Sequence, residues 1–423
     1  MDSMKKLTTI LSGLMLCLSA LAQPADKILD KAALLQMPEK LGSIYYAYPG
    51  PQQETLTDAP KGYKPFYISH YGRHGSRFQP SDERYQTVLE TLEAAYKDGN
   101  LTPLGEDVLS RVHKLWIIAR GNGGMLTKVG EQQHHDIAAR MYERFPEVFA
   151  SHKAIEARSS VVPRCKASME SFCASLKEKD PALNITQGTK QEFMCYIAND
   201  TPEQKAFEKD EKTWRGEWAK FEREHVKGTR LLKTLFRNPD NIDEYKFTTT
   251  LYWLAVGMQD LPTDLSLIEL FTPEELYDIW LTINYRMYIC NAAAPEAQGI
   301  ALEAAKPLLR NIIEKADETI KSGNECATLR FGHDSHLIRL LALMDIEGCG
   351  AKVSDVNEIE RHWQDFYISP MAANLQMVFF RNRKGSVIVK FLHNENEVTL
   401  PVKNLAGCYY RWRDVKKYLL SKL

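Results

Sequence analysis

At 423 residues the chain is too long for one small core and calls for one large or two unequal domains. A formal net charge of -1 gives no ground for nucleic acid or an anionic membrane surface as partner. With 44% hydrophobic and 26% charged residues the composition is that of an ordinary globular protein, so any site for a polyanion must be a local concentration of positive charge.

The N-terminus predicts export. Lys5 and Lys6 precede an apolar run from Leu7 to Leu21, and Ala20-Leu21-Ala22 has the small-x-small form of a cleavage site. Residues 1–22 are expected to be a signal peptide, with the mature chain starting at Gln23 in the periplasm or outside the cell. Attachment of lipid through Cys17 is disfavoured by the bulky Leu16 before it. No later stretch is long and apolar enough to span a bilayer, so no stable membrane anchor is expected. Export permits disulfides. Seven cysteines would remain (Cys165, Cys173, Cys195, Cys290, Cys326, Cys349 and Cys408), an odd number whose pairing the spacing does not reveal.

Residues 23–62 form an irregular lead-in with turn signals at Pro49, Gly50 and Pro51. The run Phe66-Tyr67-Ile68-Ser69-His70-Tyr71 then predicts a buried strand, ending in Gly72-Arg73-His74-Gly75-Ser76-Arg77. Two guanidinium forks beside an imidazole suit a phosphoryl group, with the His placed as nucleophile or base. A basic surface loop is the bland alternative, and the strand context argues against it. A helix follows from Tyr85 to Tyr96, and Thr102 and Thr127 are each expected to cap another. His134 and His135 are adjacent, point about 100° apart and are expected to lie on an ordinary helix face.

Ile155 to Arg164 predicts a short strand, a turn and the start of a helix. Arg158 and Arg164 lie near that strand's end, where open sheets gather ligands, and Arg164 is a candidate third guanidinium or else a surface residue at a helix start. From 185 to 300 helical patterns run on without strand alternation, which predicts an inserted all-α domain between two halves of an α/β core, 23–184 and 301–423. Ala327 to Gly332 is again strand-like and ends in His333-Asp334-Ser335-His336 before the apolar helix Leu337 to Met344. If both strands share a sheet, His333 and Asp334 face the crevice of Arg73 and His74. His333-x-x-His336 lacks the further ligands of a zinc site, and no metal or cofactor is expected. The tail, Ser386 to Val402, predicts a hairpin turning at Asn394-Glu395-Asn396.

With these elements in hand the chain resembles the histidine acid phosphatases, a branch of the histidine phosphatase superfamily that includes phytases and multiple inositol polyphosphate phosphatases. Tyr71-Gly72-Arg73-His74-Gly75-Ser76-Arg77 resembles the signature. Leu126-Thr127-x-x-Gly130-x-x-Gln133 is similar to the helix start that follows it, Arg158 to Arg164 to the segment with the third arginine, and Gly332-His333-Asp334-Ser335 to the second catalytic motif. The resemblance implies a Rossmann-like mixed sheet flanked by helices, with the smaller all-α domain over the active site. It implies His74 as nucleophile, Asp334 as general acid, and Arg73, Arg77, Arg164 and His333 as phosphate ligands in a metal-independent phosphomonoesterase.

Two positions depart from the family pattern. Gln79 stands where the signature has proline, which here is Pro80. The pair His333-Asp334 is similar to bacterial phytases and general acid phosphatases, whereas the tail segment Phe391 to Pro401 (FLHNENEVTLP) looks more like the inositol polyphosphate branch. The expected substrate is therefore a small phosphorylated molecule, an inositol polyphosphate such as phytate or else a simpler or sugar phosphate ester. A non-catalytic phosphate binder is the alternative from another class, and retention of both His74 and Asp334 argues against it.

Overall fold

The computed structural model describes residues 28–423, so the expected signal peptide, with its expected cleavage after Ala22 and with Cys17, lies outside the described residues. The described residues build an eight-stranded sheet. In chain order the strands are β1 (Tyr63–Arg73), β2 (Ala154–Ser159), β3 (Asn184–Thr189), β4 (Glu325–Gly332), β5 (Asn374–Asn382), β6 (Val387–His393), β7 (Asn396–Val398) and β8 (Tyr409–Arg411). Across the sheet they run β3-β2-β4-β1-β5-β6-β7, with β8 also on β6. The first four are parallel and the rest antiparallel, the mixed α/β class expected.

Alternation along β1 sorts its side chains between two apolar layers. Tyr67 and Tyr71 join the layer under helices Ile300–Ser322, Asp334–Met344 and Trp412–Leu420. Ile68 joins the layer under Lys128–Arg144 and Pro163–Lys179. β5 is buried the same way, Met377 and Phe379 on one face and Val378 and Phe380 on the other. A strand covered on both faces reads as a continuous apolar run, and the sequence reading assigned β5 nothing.

The expected domain boundaries need correction. Residue 185 falls inside β3, an edge strand whose sequence Asn-Ile-Thr-Gln-Gly-Thr carries almost no apolar signal. A third apolar core is built mainly from helices and takes no residue from the eight strands, and it is not one contiguous insert. Leu34, Leu41 and Tyr45 of the lead-in and residues of helices Glu83–Lys97 and Pro103–Ala119 pack there with Leu231, Leu251, Tyr252 and Trp280. Helices expected in the α/β core therefore belong to the helical layer, because their apolar faces meet that layer rather than the sheet.

The tail hairpin turns through Asn394 (φ 48°) and Glu395 (φ 60°), with His393 paired to Asn396. Positive φ at both central residues is what a two-residue hairpin of type I′ demands. The unusual Glu395 is held by Arg140, at 2.9 and 2.7 Å, and by the Tyr48 hydroxyl at 2.9 Å.

Candidate active site

Register brings the candidate residues together. Arg73 at the end of β1 lies opposite Gly332 at the end of β4, and Ser159 of β2 lies opposite Phe331. Three parallel strands therefore stop flush, and the residues just beyond them, His74, His333 and Ser160, share one edge. The His74 and His333 rings lie 5.8 Å apart, and Ser160 Oγ is 3.2 Å from His333 Nε2. Asp334 opens the helix Asp334–Met344, where the positive end of the dipole favours a carboxylate, and lies 3.5 Å from Arg73 Nη2.

The loop between His74 and Arg77 is clamped to the start of helix Lys128–Arg144. Ser76 N–H donates to Gln133 Oε1 (2.8 Å), and Ser76 C=O accepts from Thr127 N–H (2.9 Å) and Thr127 Oγ1 (3.1 Å). A Cβ on Gly130 would stand 2.2 Å from Ser76 O, and one on Gly75 would stand 2.5 Å from Gly130 O. These two glycines are needed for backbone to touch backbone. The spacing Thr127-x-x-Gly130-x-x-Gln133 is the template that shapes the loop. Gln79 stays buried, its Nε2 donating to Trp253 O at 2.6 Å, so the missing proline is replaced by a tie to the helical layer.

Arg73 is fully buried, and its Nη1 donates to Ile44 O and Ser369 O, both at 2.6 Å. Arg77 donates through Nη1 to Tyr45 OH (2.8 Å) and Phe78 O (2.9 Å), and lies over the Tyr45 ring. Arg164 opens helix Pro163–Lys179, whose N-terminal N–H groups also favour an anion. Arg73 Nε and Nη2, Arg77 Nε and Arg164 Nε are buried without a protein hydrogen bond. Arg158 turns away to Glu156 (2.6 Å) and the Phe193 ring. His336 faces Asp200 at 3.5 Å, and among the described residues no three metal-ligating side chains gather.

These surroundings set the proton positions. His74 Nδ1 lies 2.9 Å from Gly75 O, which can only accept, so Nδ1 carries the proton and Nε2 the free lone pair. Burial, then Arg164, Arg73, Arg77 and His333, hold the His74 pKa well below 6.5. Burial and Arg164 lower His333 to about 4, with Asp334 opposing. Burial pushes Asp334 up, but Arg73, the Ser335 N–H, His333 and Arg77 outweigh it and bring its carboxyl to about 2.

The family model described as histidine phosphatase superfamily (branch 2) matches residues 72–394. The chain belongs to that family. No curated protein sequence matches it. Among solved structures the chain is similar to the Bifidobacterium longum multiple inositol polyphosphate phosphatase, apo form, with TM-score 0.79, 21% identity and coverage of 90% of this chain and 97% of that one. The same protein complexed with inositol hexasulfate gives 0.75 at 20% identity, over 90% and 97% of the two chains. The D. castellii phytase gives 0.66 at 15% identity, covering 91% of this chain and 85% of that one. At such identities the likeness speaks for the histidine phosphatase fold.

Several groups of this histidine phosphatase site carry no sequence signal. The carbonyls of Ile44 and Ser369 and the hydroxyl of Tyr45 come from segments with no motif. Left-handed φ at two non-glycine residues, Ser43 (59°) beside Ile44 and Ala372 (59°) bonded to His74 O, marks where backbone is bent to serve the site. His134 is buried against Phe331 and Phe172, whereas His135 reaches Glu178 at 2.7 Å; the 100° offset was legible, the burial was not.

Proposed function

We propose that this histidine phosphatase is exported to the periplasm or beyond, works through a phosphohistidine at His74, and takes inositol polyphosphates as substrates. The observation that carries the chemistry is the convergence around His74 of buried guanidinium N–H groups of Arg73, Arg77 and Arg164 that make no protein hydrogen bond, with the His74 Nε2 lone pair free. The motifs and the fold shared with inositol polyphosphate phosphatases support the substrate class.

In the first step the Nε2 lone pair attacks phosphorus and the P–O ester bond breaks. Arg73, Arg77, Arg164 and His333 hold the equatorial oxygens while charge moves to the leaving oxygen. Asp334 gives that oxygen a proton and the alcohol departs. Water then attacks phosphorus, the N–P bond breaks, and Asp334 takes the water's proton as inorganic phosphate forms.

A free carboxyl near 2 is ionised at working pH, so the proton must arrive with the substrate. A monoanionic phosphate beside ionised Asp334 has the proton count of a dianion beside the acid, and phosphate monoesters lose that proton near pH 6. His74 meanwhile stays a free base in acid. An acidic optimum is expected, with activity falling above roughly pH 6.

The test is phosphate release at weakly acidic pH, in EDTA, from inositol hexakisphosphate and from a simple aryl phosphate. Preference for the inositol substrate supports the reading. Preference for the aryl ester makes the protein a broad acid phosphatase, and turnover of neither leaves a phosphate binder.

A further inference from the structure

We propose that Asp260 is a positioning residue of the phosphate cradle, tying the His74–Arg77 loop to the helical layer and opposing a bound anion whenever it is ionised. This rests on Arg73 and Arg77 holding phosphate, as read above. Asp260 lies in the turn Met258–Asp260 at the end of helix Glu244–Gly257, within the helical layer, and is fully buried. Its Oδ1 accepts from Ser76 Oγ at 2.6 Å. Its Oδ2 is buried without a hydrogen-bond partner, and among the described residues no Lys or Arg pairs with it directly. A carboxylate sealed away from water with one hydroxyl donor is costly to keep charged, and such a residue next to a charged site calls for a reason.

Ser76 supplies the link. It is fully buried, its main chain is clamped by Gln133 and Thr127, and its hydroxyl is spent on Asp260. The residues flanking this clamp are His74 with Gly75 on one side and Arg77 on the other. The charged and titratable groups facing Asp260 are Arg77 from the loop, Arg73 from the end of β1 and Tyr85 from helix Glu83–Lys97. Burial raises the Asp260 carboxyl to about 7, against the Ser76 hydrogen bond and the two arginines. In acid it is therefore a neutral acceptor and leaves the arginine charge to the ligand. Above neutrality its charge competes with the ligand for that field, and by reciprocity a bound anion makes Asp260 harder to ionise.

The experiment titrates wild type and Asp260→Asn calorimetrically with myo-inositol hexasulfate, whose charge is constant over the range. Wild-type affinity is expected to fall on the order of tenfold from about pH 5.5 to about pH 8.5, and that of Asp260→Asn to fall less than about threefold. His333 and Asp365, which also sense Arg164 or Arg73, titrate in both proteins, so the difference isolates Asp260. Equal slopes would overturn the proposal. If Asp260→Asn does not fold, Ser76→Ala serves instead: losing the hydrogen bond should move the wild-type transition to higher pH, and an unmoved midpoint is equally fatal. Inorganic sulfate, as a competitive inhibitor of turnover, separates this from the substrate reading. Sulfate with the Asp260-dependent slope but no binding of the hexasulfate would sink the inositol polyphosphate reading alone; binding of neither would sink both.

Discussion

The strand ends and the layer that faces them contribute to the site in different currencies. β1 and β4 and the helix after β2 deliver charge: Arg73, His74, Arg77, Arg164, His333 and Asp334. The lead-in and the helical layer deliver fixed partners: Ile44 O, Tyr45 OH and Asp260. A guanidinium cluster left to itself would splay apart by like-charge repulsion. Carbonyl and hydroxyl acceptors on separately folded segments hold it in place without neutralising it, so its net positive charge stays available to a phosphate. If this division is right, variants at strand ends should abolish chemistry with little loss of stability, and variants in the holding segments should disturb binding or stability with chemistry intact.

The largest effect tests the first half. His74→Ala should lower kcat by at least about 10⁴-fold, since it removes the nucleophile proposed to form the covalent intermediate. Thermal melting should be unchanged or slightly higher, because the variant relieves a buried imidazole crowded by cations. Comparable turnover would end the nucleophile assignment. Asp334→Asn should cost roughly 10²- to 10⁴-fold in kcat on an alkyl phosphate, and much less on an ester whose leaving group departs without a proton. Equal losses on both esters would show that Asp334 holds the site's geometry and gives no proton.

Gly130→Ala tests the clamp. Its new methyl would meet Ser76 O at 2.2 Å and Ser76 N at 2.7 Å, both backbone atoms that cannot swing aside. A stability loss of about 3 kcal/mol or more is expected in chemical denaturation. Displacing the loop by an ångström should also cost on the order of 10²-fold in kcat/KM. A variant melting within a degree or so of wild type would show that the loop has slack, and the glycine-to-glycine contact would lose its role.

Acid stability contrasts the site with the sheet core behind it. Burial lowers His70 and His134 to about 3, and His336, whose first cause is also burial, goes to about 3. In the unfolded chain each takes up a proton near pH 6.5, so the unfolded state binds more protons than the folded one between roughly pH 6.5 and 3. Stability from these residues is therefore full above about pH 6.5 and is lost as pH falls toward 3. Melting temperature measured across that window should fall steadily, and added phosphate should offset the fall. A flat profile would mean these imidazoles are hydrated after all.

What the sequence disclosed follows the same division. Arg73 to Arg77 and His333-Asp334 were legible because each packs several chemical groups into a contiguous string at the end of an apolar strand. Arg164 was legible from its place after β2. The holding partners were not, since a carbonyl at Ile44 or Ser369 has no side-chain signature and Asp260 sits in an unremarked turn. The helical layer was misdrawn for a related reason. Amphipathic periodicity shows that Glu83–Lys97 has an apolar face, and says nothing of whether sheet or helix covers it. β5 was lost because two covered faces erase alternation, and β3 because an exposed edge carries little apolar pattern.

The smallest expected effect sharpens the comparison most. Tyr45→Phe removes one hydroxyl, the acceptor for Arg77 Nη1, and keeps the ring that lies 4.8 Å under the guanidinium and 5.1 Å from Trp253. Arg77 retains Phe78 O at 2.9 Å. The lost hydrogen bond is to a charged donor, but the retained acceptor and the cation–ring contact leave roughly 1 kcal/mol at stake, about fivefold. Because Arg77 would be held less firmly both before and after the phosphate binds, the loss should appear mainly in KM, with kcat within about twofold of wild type. A loss confined to kcat would place Tyr45 among the groups that act on the transition state, and the line between delivering charge and holding it would have to be redrawn through the lead-in.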